Sequence, residues 1–463
     1  MDVACGTVDI AADTVAVRRE AIEMLWRVRE SIVEDIRTED EGGFWFSQLR
    51  GVERSALVAT FAGWMLDGMD VMVYSFVLPS LITLWHISKG RAGVLGTSAL
   101  LLSSLGGWLA GLAADRWGRV KILQITIFWF AFFTFLSGFA NNYEQLLVIR
   151  GLQGLGFGGE WAVGSVLIGE TVRAKYRGRA VGTVQGGWSI GWAIAAAFYT
   201  LFFAVLPVQI AWRAMFWVGI LPALMTVWIR KHVKEPEVFV QKISQKDSTK
   251  KFLEIFSPPL LRTTLLASIM ALGAQGGYYA VNTWLPLYLN GRGLSVTKTG
   301  GYLLVVIAGS FCGYLTAAHL ADKIGRKATL ACFAALSFIT ILLYMVVDTS
   351  DTTVLWLGFP LGFFPSGSFS PMGSFFTELF PTAQRGSGQG FSYNLGRGVG
   401  ALFPALVGFF SAHMKLGVAI AIFAATAYLM MVVGVLLLPE TQGRELQEID
   451  LIHQRERIDG SSL

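Results

Sequence analysis

The chain has 463 residues, of which 54% are hydrophobic and 15% charged, with 52 glycines and a formal net charge of +5. A soluble protein of this size carries about a quarter charged residues. The shortfall coincides with long apolar runs, which excludes a soluble enzyme, a nucleic-acid binder and a secreted disulfide scaffold and points to a protein with many membrane spans. The three cysteines, Cys5, Cys312 and Cys332, match neither disulfide nor metal spacing.

Residues 1–54 lack a continuous apolar core, so neither a cleaved signal nor a first span is expected there. Val17, Ala21, Met24, Leu25, Val28, Ile32 and Ile36 recur at helical spacing between charged residues, the pattern of an amphipathic cytosolic helix docked on the protein or the membrane surface. Phe44, Trp45 and Phe46 suit an interfacial approach to the first span.

Apolar runs then follow at 56–84, 93–114, 122–139, 145–168, 181–203 and 212–230, and, after a charged stretch, at 263–289, 300–320, 329–347, 353–376, 388–410 and 417–438. Each is long enough to cross a hydrocarbon core of about 30 Å, and in lipid such a run must be helical because its amides bond within their own segment. The expected architecture is therefore an all-α membrane protein of twelve transmembrane helices. Its expected divisions are a cytosolic N-terminal segment (1–54), a six-helix bundle (55–230), a linker (231–262), a second six-helix bundle (263–439) and a cytosolic tail (440–463).

Of the 37 Lys and Arg, 29 fall in segments on the side of the termini. Six (Lys89, Arg91, Arg213, Arg292, Lys298, Lys415) fall on the opposite side, and Arg150 and Arg397 lie inside spans. The positive-inside rule places both termini in the cytoplasm. Short outer loops without an Asn-x-Ser/Thr sequon suit a bacterial inner membrane.

The two halves repeat. Gly111-Leu-Ala-Ala-Asp115-Arg116-Trp-Gly118-Arg119 follows the second span and Ala318-His-Leu-Ala-Asp322-Lys323-Ile-Gly325-Arg326 the eighth, with Asp115 and Asp322 207 residues apart. Glu170 precedes Arg177-Gly178 as Glu378 precedes Arg385-Gly386, at an offset of 208. Two independent motifs at nearly one offset mean two homologous six-helix halves.

Ionisable residues at mid-bilayer are costly and face a cavity or a partner. Asp67 and Asp70, three residues apart, share one face of the first span, about 17–21 Å along it. Two carboxylates close together in a poorly hydrated place repel, so one of them favours its protonated form. They would carry or gate a proton, or else cap a kink at Gly68 or bond a neighbouring helix. Glu160 in the fourth span takes a proton or pairs with a cation. Arg150 snorkels or bridges helices.

Arg397 lies about 14 Å into the eleventh span, and its planar guanidinium matches a carboxylate with two hydrogen bonds. That carboxylate comes from Asp67, Asp70 or Glu160, or from the substrate. Gln275, Tyr278, Tyr279 and Asn282 share one face of the seventh span and suit a small polar, ring-bearing solute. Gln185, Trp188 and Trp192 of the fifth span, with Tyr393 and Asn394 of the eleventh, would complete that wall or simply pack the bundle. Asp115 would bond free amides at a helix start in the other half, and Arg119, Arg177 and Glu170 would form a charge latch. Glycines four apart (Gly107 and Gly111; Gly178, Gly182 and Gly186; Gly187 and Gly191; Gly396 and Gly400) would let helices approach closely.

Asp115-Arg116-x-Gly118-Arg119 resembles the signature loop of the major facilitator superfamily. Arg150-x-x-Gln153-Gly154-x-Gly156 resembles that superfamily's fourth-span motif, and Pro439-Glu440-Thr441-x-Gly443-Arg444-x-Leu446 its sugar- and metabolite-porter tail. Asp67-Gly68-Met69-Asp70 is similar to the first-span motif of aromatic acid/proton symporters. Gly158-Gly159-Glu160 resembles sialate- and metabolite-type proton symporters, and Trp284-Leu285-Pro286 the seventh-span break of metabolite porters.

The resemblance implies two pseudo-symmetric six-helix bundles working by alternating access, and ties the Arg150 position to proton transfer. The expected function is proton-coupled uptake of a small organic anion, an aromatic or related carboxylate. The alternatives are a porter for another metabolite (a sialate-like sugar acid, nicotinate or a sugar), a proton-driven exporter, or a sensor of the same build. Its partners would be protons, the organic acid and the lipid bilayer, with no cofactor, metal or nucleic acid, and it would work as a monomer.

Overall fold

The computed structural model describes residues 45–224, 254–294, 296–347, 350–381 and 384–442, and some side chains within these ranges are not described. The expected amphipathic helix over 17–36, most of the 231–262 linker and the tail beyond Gln442 lie outside the described residues. The chain divides into two units, Met1–Arg50 and Gly51–Leu463. In the first, the described part is a single 3₁₀ turn, Trp45–Gln48.

The second unit is built of helices. Its first half contains α1 Gly51–Trp85, α2 Lys89–Trp117, α3 Arg119–Ser137, α4 Tyr143–Thr171, α5 Ala174–Val205 and α6 Val208–Trp217. Its second half contains α7 Pro258–Gly291, α8 Val296–Ile324, α9 Arg326–Val346, α10 Asp351–Gly367, α11 Phe369–Leu379, α12 Arg385–Gly400, α13 Leu402–Phe410 and α14 Leu416–Leu437. Helix starts carry the expected caps: the side chains of Ser88, Asn142 and Ser350 accept from the amides of Arg91, Gln145 and Thr353.

The runs 353–376 and 388–410, expected as single helices, are each interrupted. α10 ends at Gly367 and α12 at Gly400, each four residues before a proline, Pro371 and Pro404. A proline has no N–H to give to the carbonyl four residues back, so the ladder breaks there. α6 turns into a 3₁₀ segment at Val218, four residues before Pro222, for the same reason. The expected break at Trp284-Leu285-Pro286 is absent: α7 runs continuously through Pro286.

Among the described residues, seven helices are long and apolar enough to cross a membrane. The two long helices that miss this standard are α4 and α7, of 29 and 34 residues. These are the helices that carry Arg150, Gln153 and Glu160, and Gln275 and Asn282, so polarity inside a span coincides with the candidate site.

The pseudo-repeat has a backbone signature. Gly118, between α2 and α3, has φ 103°, and Gly325, between α8 and α9, has φ 101°. The two glycines are 207 residues apart, the separation of Asp115 and Asp322. Any residue with a Cβ is strained at such a φ, which explains why the motif carries glycine there. Close helix crossings explain two more. A Cβ on Gly191 would fall on the backbone of Met65 and lie 2.7 Å from the Met69 amide of α1. One on Gly400 would lie 2.8 Å from the Gly276 amide of α7. Gly111, expected in such a contact, has open space around it.

The two halves meet along two seams. In the first, α2 packs on α12 and α13: Thr97 Oγ1 donates to Ala401 O at 2.6 Å, and Trp108 stacks on Phe391 with centroids 6.0 Å apart. In the second, α5 packs on α8, where Ser189 and Ser310 hydroxyls lie 2.9 Å apart and Ser310 donates to Ser366 at 2.7 Å.

Candidate functional site

The polar side chains of α1, α4, α7 and α12 converge in the interior of the second unit. Asp67 is fully buried, and Arg397 is 1% exposed. Asp70, Arg150, Gln153, Glu160, Gln275, Tyr278, Tyr279 and Asn282 are also buried.

Asp67 and Asp70, expected as a pair, take different partners. Asp70 Oδ2 lies 2.7 Å from Thr134 Oγ1 of α3 and accepts from Gln153 Nε2 of α4. Gln153 Oε1 in turn accepts from Arg150 Nη1 at 2.7 Å, so an amide bridges the acid and the guanidinium. Arg150 also stands 4.7 Å over the Tyr74 ring. Asp67 instead adjoins Glu160, whose carboxyl lies against Gly63, one helical turn before Asp67 on α1. None of their four oxygens receives a bond from a donor group. The space Glu160 fills is the space that a side chain on Gly63 would take. Both acids thus face α4, Asp70 through Gln153 and Asp67 through Glu160, and α3 adds Thr134 to Asp70 alone.

Among the described residues Arg397 has no carboxylate within 4 Å, so none of Asp67, Asp70 and Glu160 pairs with it directly. Its Nε points at Gln275 Oε1 at 3.4 Å and its Nη2 at Tyr393 Oη at 3.5 Å, while Nη1 has no partner. The guanidinium lies 5.1 Å from the centroids of both Phe157 and Tyr393. Gln275 holds it from behind, donating to Tyr393 O at 2.9 Å and accepting from Tyr279 Oη at 3.2 Å. An aromatic wall continues from there: Trp188 Nε1 donates to Tyr278 Oη at 2.7 Å, and Tyr278 packs edge-on to Phe369 at 5.4 Å. Asn282 bonds the Tyr278 carbonyl at 2.9 Å and faces a cavity.

That cavity, about 30 Å³, is lined by Arg150, Gln153, Phe157, Tyr279 and Asn282 among others. It has room for one or two waters and not for an organic acid. Gln185 belongs to the wall, donating to Phe369 O at 3.4 Å. Asn394 does not: it bonds Gly390 O at 2.9 Å, and its Oδ1 abuts Gly107 at the α2–α12 crossing.

Three site residues escaped the sequence-derived set. Gln153 and Phe157 lie three and seven residues after Arg150, on one face of α4, and that spacing could have found them. Thr134 is a lone hydroxyl in an aromatic run, Phe132-Phe133-Thr134-Phe135.

Of the loop residues, the side chains of Asp115, Arg119, Glu170 and Arg177 lie outside the described ones. Arg116 is exposed beside the Trp117 ring. The second copy is described. Arg326 donates to Asp322 at 2.8 Å and lies 3.4 Å from Glu378, and Arg385 bonds Thr377 O at 2.8 Å. The amides at the start of α9, of Arg326 and Lys327, are taken by the Glu440 carboxylate at 3.1 Å each.

The chain matches the Major Facilitator Superfamily over residues 60–318 and 305–457. It is 41% identical to a probable 4-methylmuconolactone transporter of Cupriavidus pinatubonensis, over 88% of this chain and 95% of that one. It is 32% identical to the cis,cis-muconate transport protein of Acinetobacter baylyi, over 84% and 94%. Among solved structures it resembles the proton:xylose symporter XylE, with a TM-score of 0.67 and 19% identity, over 87% of this chain and 99% of that one. This last likeness is one of fold. Twelve helical crossings in two pseudo-symmetric bundles, a polar centre at their junction and a match over most of the chain agree on one conclusion: this membrane protein is a transporter and belongs to the major facilitator superfamily.

Proposed function

We propose that the protein takes up a small organic acid, an aromatic or related carboxylate, together with protons across a cell inner membrane with both termini in the cytoplasm. The observation that carries this reading is Arg397, a buried guanidinium with an unbonded Nη1 and, among the described residues, no carboxylate within 4 Å. A fixed cation deep in a bundle requires an anion, and a carboxylate fits its planar edge. Phe157, Tyr279 and Tyr393 around it supply faces for an unsaturated or ring-bearing body, and Asn282 a polar group for its far end. The relatives named for a muconolactone and for muconate handle compounds of this class. Two carboxyls without donors, Asp67 and Glu160, supply a place for protons.

The test is uptake by reconstituted proteoliposomes under an imposed pH gradient, with benzoate, 4-methylmuconolactone and cis,cis-muconate as probes. Accumulation of at least one of them, driven by an acidic outside, is expected. Equilibration that ignores the gradient would rule out symport, and failure to carry any of the carboxylates would rule out the substrate class.

A further inference from the structure

Five charged side chains lie buried within the spans among the described residues: Asp67, Asp70, Arg150, Glu160 and Arg397. Glu53, also buried, sits at a helix end with Arg173, donor of two bonds to it at 2.9 and 3.0 Å. Fully ionised, the five carry three negative and two positive charges, one net negative charge. A charge left uncompensated in a sealed, poorly hydrated core is expensive, so the closed arrangement favours neutrality. One proton supplies it.

The geometry says where that proton sits. Asp70 Oδ2 has donors in Thr134 and Gln153, with Arg150 behind the amide, so of the three acids its ionised form is the best supported. The Asp67 and Glu160 carboxyls have no donors but each other, and a proton held between them is the one hydrogen bond open to both. The charged groups around the pair are Asp70 on α1 and Arg397 on α12, and α5 brings the uncharged Trp188 against Gly68, next to Asp67.

We propose that the Asp67–Glu160 pair is the proton carrier, and that it takes up one further proton for each monocarboxylate bound at Arg397, while Asp70 stays ionised throughout. The inference rests on the carboxylate-symport reading above. A bound monoanion makes the core negative by one. A second proton, drawn from water on the uptake side and forming an O–H on the second carboxyl, restores neutrality. The anion alone leaves one negative charge in the closed core and the second proton alone leaves one positive charge. Closure is therefore favoured with both or with neither, which is the condition for obligatory coupling.

The experiment is titration of the purified, weakly buffered protein near neutral pH with 4-methylmuconolactone, a monocarboxylate, while an indicator dye counts protons taken up per anion bound. The wild type should take up one; none or two would overturn the proposal. Glu160→Gln should still take up one, on Asp67, and Asp70→Asn should also keep one, whatever it does to affinity. The double variant Asp67→Asn/Glu160→Gln should bind the anion with no proton uptake, and in proteoliposomes it should exchange labelled for unlabelled anion without gradient-driven accumulation. One proton per anion in the double variant would place the carrier elsewhere and overturn the proposal. If the double variant does not fold, infrared difference spectra of the wild type decide: anion binding should add a protonated-carboxyl C=O band, and its absence overturns the proposal. A wild type that binds neither this acid nor benzoate nor muconate would instead sink the carboxylate reading itself.

Discussion

Gln275 is the residue on which the geometry of Arg397 turns. Its amide oxygen faces Arg397 Nε at 3.4 Å and accepts from Tyr279, and its nitrogen fixes the α12 backbone at Tyr393. Gln275→Glu would place a permanent carboxylate against the guanidinium and compete with any anionic solute. Anion affinity measured by calorimetry should fall by about 30-fold or more, on the scale of 2–5 kcal/mol for disturbing a buried charge pair, while thermal stability holds or rises. Unchanged affinity would show that the solute does not use Arg397. Arg397→Lys should weaken binding as well, since an ammonium keeps the charge but loses the planar fork and the contacts with Phe157 and Tyr393. At this scale the sequence was a good guide to which charged residues lie buried in the interior, because charge inside an apolar run is conspicuous. It was a poor guide to pairing. Asp67 and Asp70 share a face of α1, yet their partners are chosen by α3 and α4, whose rotation about their own axes no local spacing encodes.

At the level of the helices, the start of α9 depends on a residue more than a hundred positions away. Glu440 accepts from the amides of Arg326 and Lys327 as a capping side chain would, and it also bonds the amides of Thr441 and Gln442. Glu440→Ala should cost about 1 kcal/mol, with faster hydrogen exchange at the Arg326 and Lys327 amides as the local readout. Protection that stays the same would mean that the cap contributes nothing. The α1–α5 crossing is less forgiving. Gly191→Ala would press a methyl into the Met65 and Met69 backbone, and a loss of about 1–3 kcal/mol should appear as a lower unfolding temperature in detergent. Span positions were legible from hydropathy, and the repeated loop from its motif. The interruptions of the tenth and eleventh spans were written in Pro371 and Pro404, four residues beyond the breaks, and hydropathy is blind to them because proline occurs within apolar runs.

For the molecule as a whole, the two seams make a specific statement about state. Ser104 of α2 and Gly398 of α12 are close enough that a Cβ on the glycine would lie 2.8 Å from the serine Oγ. Ser189 and Ser310 lie 2.9 Å apart across the other seam. Cysteine pairs at Ser104/Gly398 and at Ser189/Ser310, in a chain cleared of Cys5, Cys312 and Cys332, should each form a disulfide under mild oxidation. Uptake should then fall to background and return on reduction. Full uptake by the oxidised protein would show that the seams need not part. Two-fold repetition was readable from the 207-residue offset, whereas the closeness of the halves was not, since seam contacts such as Thr97–Ala401 join residues about 300 positions apart.

The interior void of about 30 Å³ also bears on solvent. A conformation open to one side must hydrate Arg397, the acid pair and the aromatic wall, while the cavity beside Arg150 and Asn282 leaves room for a water or two. The open and closed arrangements therefore differ in bound water, and the transport equilibrium is in part a drying equilibrium. Osmolytes excluded from protein surfaces should bias it toward the closed arrangement, so that water activity, with no change in solute or proton concentration, becomes a control on how long the transporter waits between turnovers.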